Sequence, residues 1–182
     1  MLLWGNHMDR LFIIALLDQK TANCCSKLSE EFSTEIAGYS LNPHITLATL
    51  DVPDAEAFVK ESSSAFTGMP AFEVEFRELG YYENLASVSI LPAKEGGLMD
   101  AFARATSVHP EYLTKFYNEG PEIYLPHLTL VHDGHVDKER LPEIGEHLQA
   151  CFRPFTGYIR EIDYSLLLEE GKFRIIKKIE LI

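Results

Sequence analysis

Between residues 11 and 91 the apolar positions change their period several times, and each change marks a new element. Residues 11–17, LFIIALL, are a continuous apolar run of strand length, and residues 20–36 follow at helical spacing. Residues 43–49, PHITLAT, alternate with a period of two, which predicts His44, Thr46 and Ala48 on one side of a strand and Ile45, Leu47 and Thr49 on the other. A proline and acidic residues open the next stretch, 52–66, whose apolar positions return at helical spacing. Phe72, Val74 and Phe76 then alternate with Glu73, Glu75 and Arg77, as in a half-buried strand.

The second half of the chain reads the same way. A strand over 85–91 precedes a helical region from 97 to about 117, interrupted at His109-Pro110 because proline and the residue before it resist helical geometry. A strand over 126–132, a helix over 137–152 and a strand from about 155 complete the set. The chain ends in a hairpin of residues 158–168 and 172–181, turning at Glu169-Glu170-Gly171. Each half is thus strand-helix-strand-helix-strand.

The likeness is also one of letters. PHITL at 43–47 and PHLTL at 126–130 lie 83 positions apart, and the same shift lays Arg77-Glu78-Leu79-Gly80-Tyr81 on Arg160-Glu161-Ile162-Asp163-Tyr164. It also lays Asp54 and Glu56 on Asp137 and Glu139. A register shared over about forty residues is the signature of a duplicated unit rather than of two chance words. The expected fold is α+β and bilobal, with two pseudo-symmetric antiparallel or mixed sheets, helices on their outer faces and a central cleft. The lobe repeats fall at about 11–84 and 85–182, and residues 1–10 read as a flexible N-terminal extension.

Composition narrows the picture. A chain of 182 residues with 46% hydrophobic content buries roughly 70% of its unfolded surface, so a full core is available. Its longest apolar run is too short for a bilayer, which needs about 20 residues, and no small-residue cleavage site follows it; a cytoplasmic protein is expected. Cys24, Cys25 and Cys151 make neither a disulfide framework nor a metal knuckle. The net charge of −12 lacks the basic stripe that tracks a long phosphate backbone. Residues 153–182 nevertheless hold 6 Lys/Arg against 5 Asp/Glu, leaving 10 against 23 elsewhere, so Arg153, Arg160, Lys172, Arg174, Lys177 and Lys178 are the cations a small anionic ligand could meet.

Chemistry concentrates in the doubled motif. The core needs Ile45, Leu47, Leu128 and Leu130, which turns His44 and Thr46, and His127 and Thr129, to the opposite face. Pseudo-twofold packing would bring the two histidines together across a shared cleft. Such a pair suits phosphodiester cleavage: a neutral imidazole takes a proton from the attacking oxygen while an imidazolium opposite gives one to the leaving oxygen. Thr46 and Thr129 hydroxyls can donate to the non-bridging oxygens.

At these residues the sequence resembles the two-histidine (2H) phosphoesterase superfamily, which includes the RNA 2′,3′-cyclic phosphodiesterases once named 2′-5′ RNA ligases. Its signature is two His-x-Thr/Ser-x motifs with apolar x positions, and 44–47 and 127–130 match it fully. The resemblance implies a bilobal α+β fold, His44 and His127 as the catalytic acid/base pair, Thr46 and Thr129 as substrate-binding hydroxyls, and no metal or other cofactor. It further implies a nucleotide or short RNA-end substrate. With the acidic charge, no long nucleic acid and no membrane are expected as partners, and a monomer is expected. Tyr81, Tyr82, Tyr117 and Tyr124 are candidates to stack on a base.

Two other readings compete. A metal hydrolase would use His127, His132, Asp133 and His135, but strand alternation sets His127 and His132 on opposite faces, and the first copy has no equivalent donors. His109, His135 and His147 read as surface or loop residues. A non-catalytic nucleotide-binding module would use the same cleft and the same residues.

Overall fold

The computed structural model describes residues 8–33, 43–114, 123–134, 136–169 and 172–182. Among these, eleven elements follow one another: β1 (Asp9–Leu17), α1 (Gln19–Ser33), β2 (His44–Val52), α2 (Ala55–Ser62), β3 (Phe72–Tyr82), β4 (Ser87–Pro92), α3 (Gly96–Ser107), β5 (Leu128–His132), α4 (Leu141–Cys151), β6 (Phe155–Glu169) and β7 (Lys172–Glu180). The helical region after residue 97 ends at Ser107, and a 3₁₀ turn, Pro110–Tyr112, follows the interruption at His109-Pro110. The expected helix end at Ile36, the turn residues 170–171, Tyr117 and His135 lie outside the described residues, as do residues 1–7. Asp9 and Arg10, read above as part of an extension, belong to β1. The Asp9 carboxylate accepts the Ala55 N–H at 3.0 Å, and Arg10 forks onto Asp51 at 2.8 and 2.9 Å.

The two half-sheets expected from the repeat are joined into one seven-stranded antiparallel sheet, in the order β2-β1-β6-β3-β4-β5 with β7 on β6. The order reads the same backwards when each strand is exchanged for its copy, so a pseudo-twofold axis runs through the β3–β6 pair. Phe72 pairs with Ile159 and Phe76 with Phe155, and the 83-residue shift exchanges these two pairs; the axis passes at Val74 and Gly157. The sequence repeats and the half-sheets do not coincide: β6 lies beside β1, and β3 beside β4. Each copy lends its third strand to the other.

Crowding at the axis explains its glycine. A methyl on Gly157 would meet Thr21 Cγ2 and, at 2.9 Å, Phe76 Cε2. The core lies on this side of the sheet: Leu11, Ile13, Ala15, Ile45, Leu47, Val74, Phe76, Val88, Ile90, Leu128, Val131 and Ile162 are buried in one cluster with Phe58 of α2, Leu98 of α3 and Ile144 of α4. Helix starts are duplicated with the strands. Asp54 accepts the Ala57 N–H at 2.9 Å ahead of α2, and its counterpart Asp137 accepts the Glu139 N–H at 3.2 Å ahead of the 3₁₀ turn that leads into α4.

Candidate functional site

The sheet face opposite the core carries residues of both motifs. His44 sits opposite Leu16 and Thr46 opposite Ile14 on β1; Thr129 sits opposite Ser89 on β4. Directly paired residues share a face, so these side chains line one surface. Ile45 and Leu128 are fully buried on the other, as the alternation predicts.

Beyond the threonines, the alternation breaks. Both motif strands slip register by one residue, at Leu47 on β2 and at Leu130 on β5, 83 positions on. A bulge of this kind inserts one residue and reverses the facing of everything after it. Ala48, expected beside His44 and Thr46, is therefore in the core, and Thr49 returns to the motif face. His132 likewise pairs with Ser87 on the face of Thr129, contrary to its expected placement. Among the described residues no three His, Cys, Asp or Glu side chains converge as a metal-binding group.

The two motifs lie on the outermost strands of the hydrogen-bonded order, yet β2 and β5 are in contact. The segment leading into the second motif rests on the first: the Tyr124 hydroxyl donates to the Thr46 carbonyl at 2.8 Å, and the Tyr124 ring stacks on Phe102 of α3 with centroids 4.0 Å apart. Tyr124 is thus a tether rather than a free platform. Tyr81 packs into the core beneath α4, while Tyr82, opposite Ser87, is on the motif face with its ring over Gly80.

His127 is held in one tautomer. Its Nδ1 lies 2.9 Å from the Leu125 carbonyl, which can only accept, so Nδ1 carries the proton and Nε2 keeps its lone pair. Burial lowers its proton affinity below that of an ordinary imidazole, and the bond to Leu125 recovers part of the loss. His109 is tied to Glu111 at 3.0 Å and Glu61 at 3.3 Å, and its proton affinity is raised, chiefly by Glu111.

Sequence reading missed the polar residues that surround the motifs. One row of cross-strand neighbours runs Thr46–Ile14–Asp163–Lys178, and its copy runs Thr129–Ser89–Gly80. Ser87 and Ser89 are buried and share a hydrogen bond of 2.8 Å. Asp163 is 1% exposed; its carboxyl is pushed up to about 6 by burial and by Glu161, against the pull of Lys178 at 3.7 Å. The signal was present in the strict alternation of Ser87-Val88-Ser89-Ile90 and Ile162-Asp163-Tyr164-Ser165, where small polar residues recur on one side of otherwise apolar strands.

No family model matches the sequence, and no curated protein matches it. Solved structures do. The fold is that of E. coli LigT, whose structure with 3′-AMP aligns with a TM-score of 0.62 at 18% identity over 96% of this chain and 98% of that one. A structure described as a phosphoesterase aligns at 0.61 with 19% identity over the same shares, and TT0787 of Thermus thermophilus at 0.62 with 17% identity over 94% and 97%. The chain therefore has the LigT-like α+β fold along nearly its whole length. E. coli LigT has also been solved with NADP+ and with ATP.

Proposed function

We propose that this chain is a 2H-type phosphoesterase that cleaves a 2′,3′-cyclic phosphate, an RNA end or a small nucleotide diester without a metal ion. The observation that carries the reading is the doubled motif at two touching strands, with His44, Thr46 and Thr129 on the face away from the core, His127 directly ahead of buried Leu128, and each strand bulged one residue after its threonine. The nucleotides bound to E. coli LigT support a nucleotide-sized ligand.

In this reading His127, with Nε2 unprotonated and its proton affinity lowered, takes the proton from the attacking water, and His44 gives a proton to the departing ribose oxygen. The attacking oxygen bonds to phosphorus as the ester bond opposite breaks, leaving a phosphomonoester. Thr46 and Thr129 donate to the non-bridging oxygens as their charge grows.

The test is incubation with the four nucleoside 2′,3′-cyclic phosphates and separation of the products by ion exchange, alongside His44→Ala and His127→Ala. Conversion that depends on both histidines is expected. Saturable nucleotide binding without any conversion would replace the reading with a non-catalytic nucleotide-binding module.

A further inference from the structure

The repeat places an arginine at the same irregularity of each third strand. Arg77 on β3 and Arg160 on β6 are the residues skipped where these strands change register against β4 and β1. A bulge re-aims the side chain it carries. Both guanidinium groups turn back toward the residue two positions earlier, Glu75 for Arg77 and Tyr158 for Arg160.

Their surroundings then differ. Arg77 bonds Glu75 at 2.6 and 2.9 Å and Glu95 at 3.0 Å, so its Nε and Nη2 donors are engaged by two carboxylates. In the other copy Tyr158 replaces Glu75, and the Arg160 guanidinium carbon stands 5.0 Å from the Tyr158 ring centroid. The counterpart of Glu95, the residue before the helix, is Asp18. Its carboxylate caps α1 by accepting the Thr21 N–H at 2.9 Å, and it meets Arg160 only through longer-range attraction. The neighbouring Glu161 is taken by Lys178 at 2.9 Å. Among the described residues Arg160 has no carboxylate within ion-pair distance. A guanidinium whose face rests on an aromatic ring keeps its N–H donors at its edge, where they match the oxygens of a phosphate.

Arg160 is next to Glu161, and Glu161, Leu16 and His44 form one cross-strand row. Two strand spacings separate His44 from this position, roughly 10 Å between backbones. That is within reach of an arginine and a histidine holding two groups of one nucleotide.

We propose that Arg160, seated on Tyr158, binds a second phosphate of the substrate, so that this protein prefers nucleotides carrying a phosphate beyond the one at the motif histidines. The inference rests on the phosphoesterase reading above. It makes the site directional: the anionic tail of the substrate extends over β6, and the corresponding place on β3 is closed by its own carboxylates.

Calorimetric titration with 3′-AMP, adenosine 3′,5′-bisphosphate and the dinucleotide ApAp carrying a 3′-phosphate tests this. The wild type should bind at least one doubly phosphorylated probe about tenfold more tightly than 3′-AMP. A preference for the bisphosphate places the second phosphate on the same nucleoside, and a preference confined to the dinucleotide places it on the neighbouring residue of an RNA end. Arg160→Gln should reduce either preference to about twofold or less, Arg160→Lys should restore part of it, and Arg77→Gln, with the same loss of charge, should leave it intact. An unchanged preference in Arg160→Gln, or an equal loss in Arg77→Gln, overturns the inference while cyclic-phosphate hydrolysis by the wild type keeps the phosphoesterase reading standing. A wild type that neither binds these probes nor hydrolyses a cyclic phosphate overturns both.

Discussion

The two copies of the repeated unit agree in strand pairing and in the motifs themselves and disagree at the side chains that surround the motifs. Strand pairing, the two motif bulges, the two arginine bulges and the two aspartates at the helix starts are all duplicated. On the motif face Ile14 answers Ser89, Asp163 answers Gly80, Ser165 answers Tyr82, and Tyr158 answers Glu75. Duplication supplies two like histidines, and divergence around them supplies what the proposed acid/base chemistry requires, namely two unlike environments for the same imidazole.

The comparison breaks most visibly at the histidines. His44→Ala and His127→Ala should each reduce turnover by about 10² to 10⁴, and the double variant by far less than the product, since either loss disables one concerted step. Steady-state rates on a cyclic phosphate measure this, and a histidine variant with wild-type turnover would end the paired assignment. Thr46→Val and Thr129→Val should each cost less, on the order of tenfold to a hundredfold, because proton transfer survives the loss of one donor. The pH profile of kcat/KM sharpens the contrast further. Because burial disfavours a proton on His127, the limb belonging to the base should fall below the ordinary imidazole value of about 6.5, and EDTA should leave the profile unmoved.

Smaller effects belong to stability. Gly157→Ala should destabilise the fold by about 1–3 kcal/mol, because the methyl meets Thr21 and Phe76 at the axis. Chemical denaturation reads this, and a neutral result would mean that α1 yields there. Asp163→Asn should stabilise the protein at pH 8 by on the order of 1 kcal/mol. Burial pushes the folded carboxyl up to about 6 from an ordinary value of 3.8, so ionising it costs the fold stability as pH rises through that window, and asparagine removes the cost. The gain should shrink as pH falls toward 4; a gain independent of pH would show that burial of the charge is not its cause.

Much of this was legible in the sequence, for definite reasons. A strand with one buried face must alternate, so Ile45 and Leu128 fixed the facing of His44 and Thr129, and the repeat gave the element order. What stayed hidden was non-local. A bulge costs no change in amino-acid type, so nothing in Leu47 or Leu130 announced the slip that moved Ala48, Thr49 and His132. The exchange of third strands was equally silent, since β3 and β6 read alike and either could complete either half. Tyr124 read as an aromatic with a free face because its partner, the Thr46 carbonyl, is 78 positions away.

That exchange also bears on how the chain is made. During synthesis β1 leaves the ribosome well before its neighbour β6, which pairs Leu166 with Leu11, 155 positions earlier. Until β6 emerges the first half can form only the β1–β2 hairpin with its helices, with one edge of β1 open to any passing strand. The closing of so long a loop places folding of this domain toward the slow end for its size and ties it to completion of the chain. A ribosome stalled before β6 would hold an unfinished sheet edge exposed, the state in which such a protein most needs a chaperone.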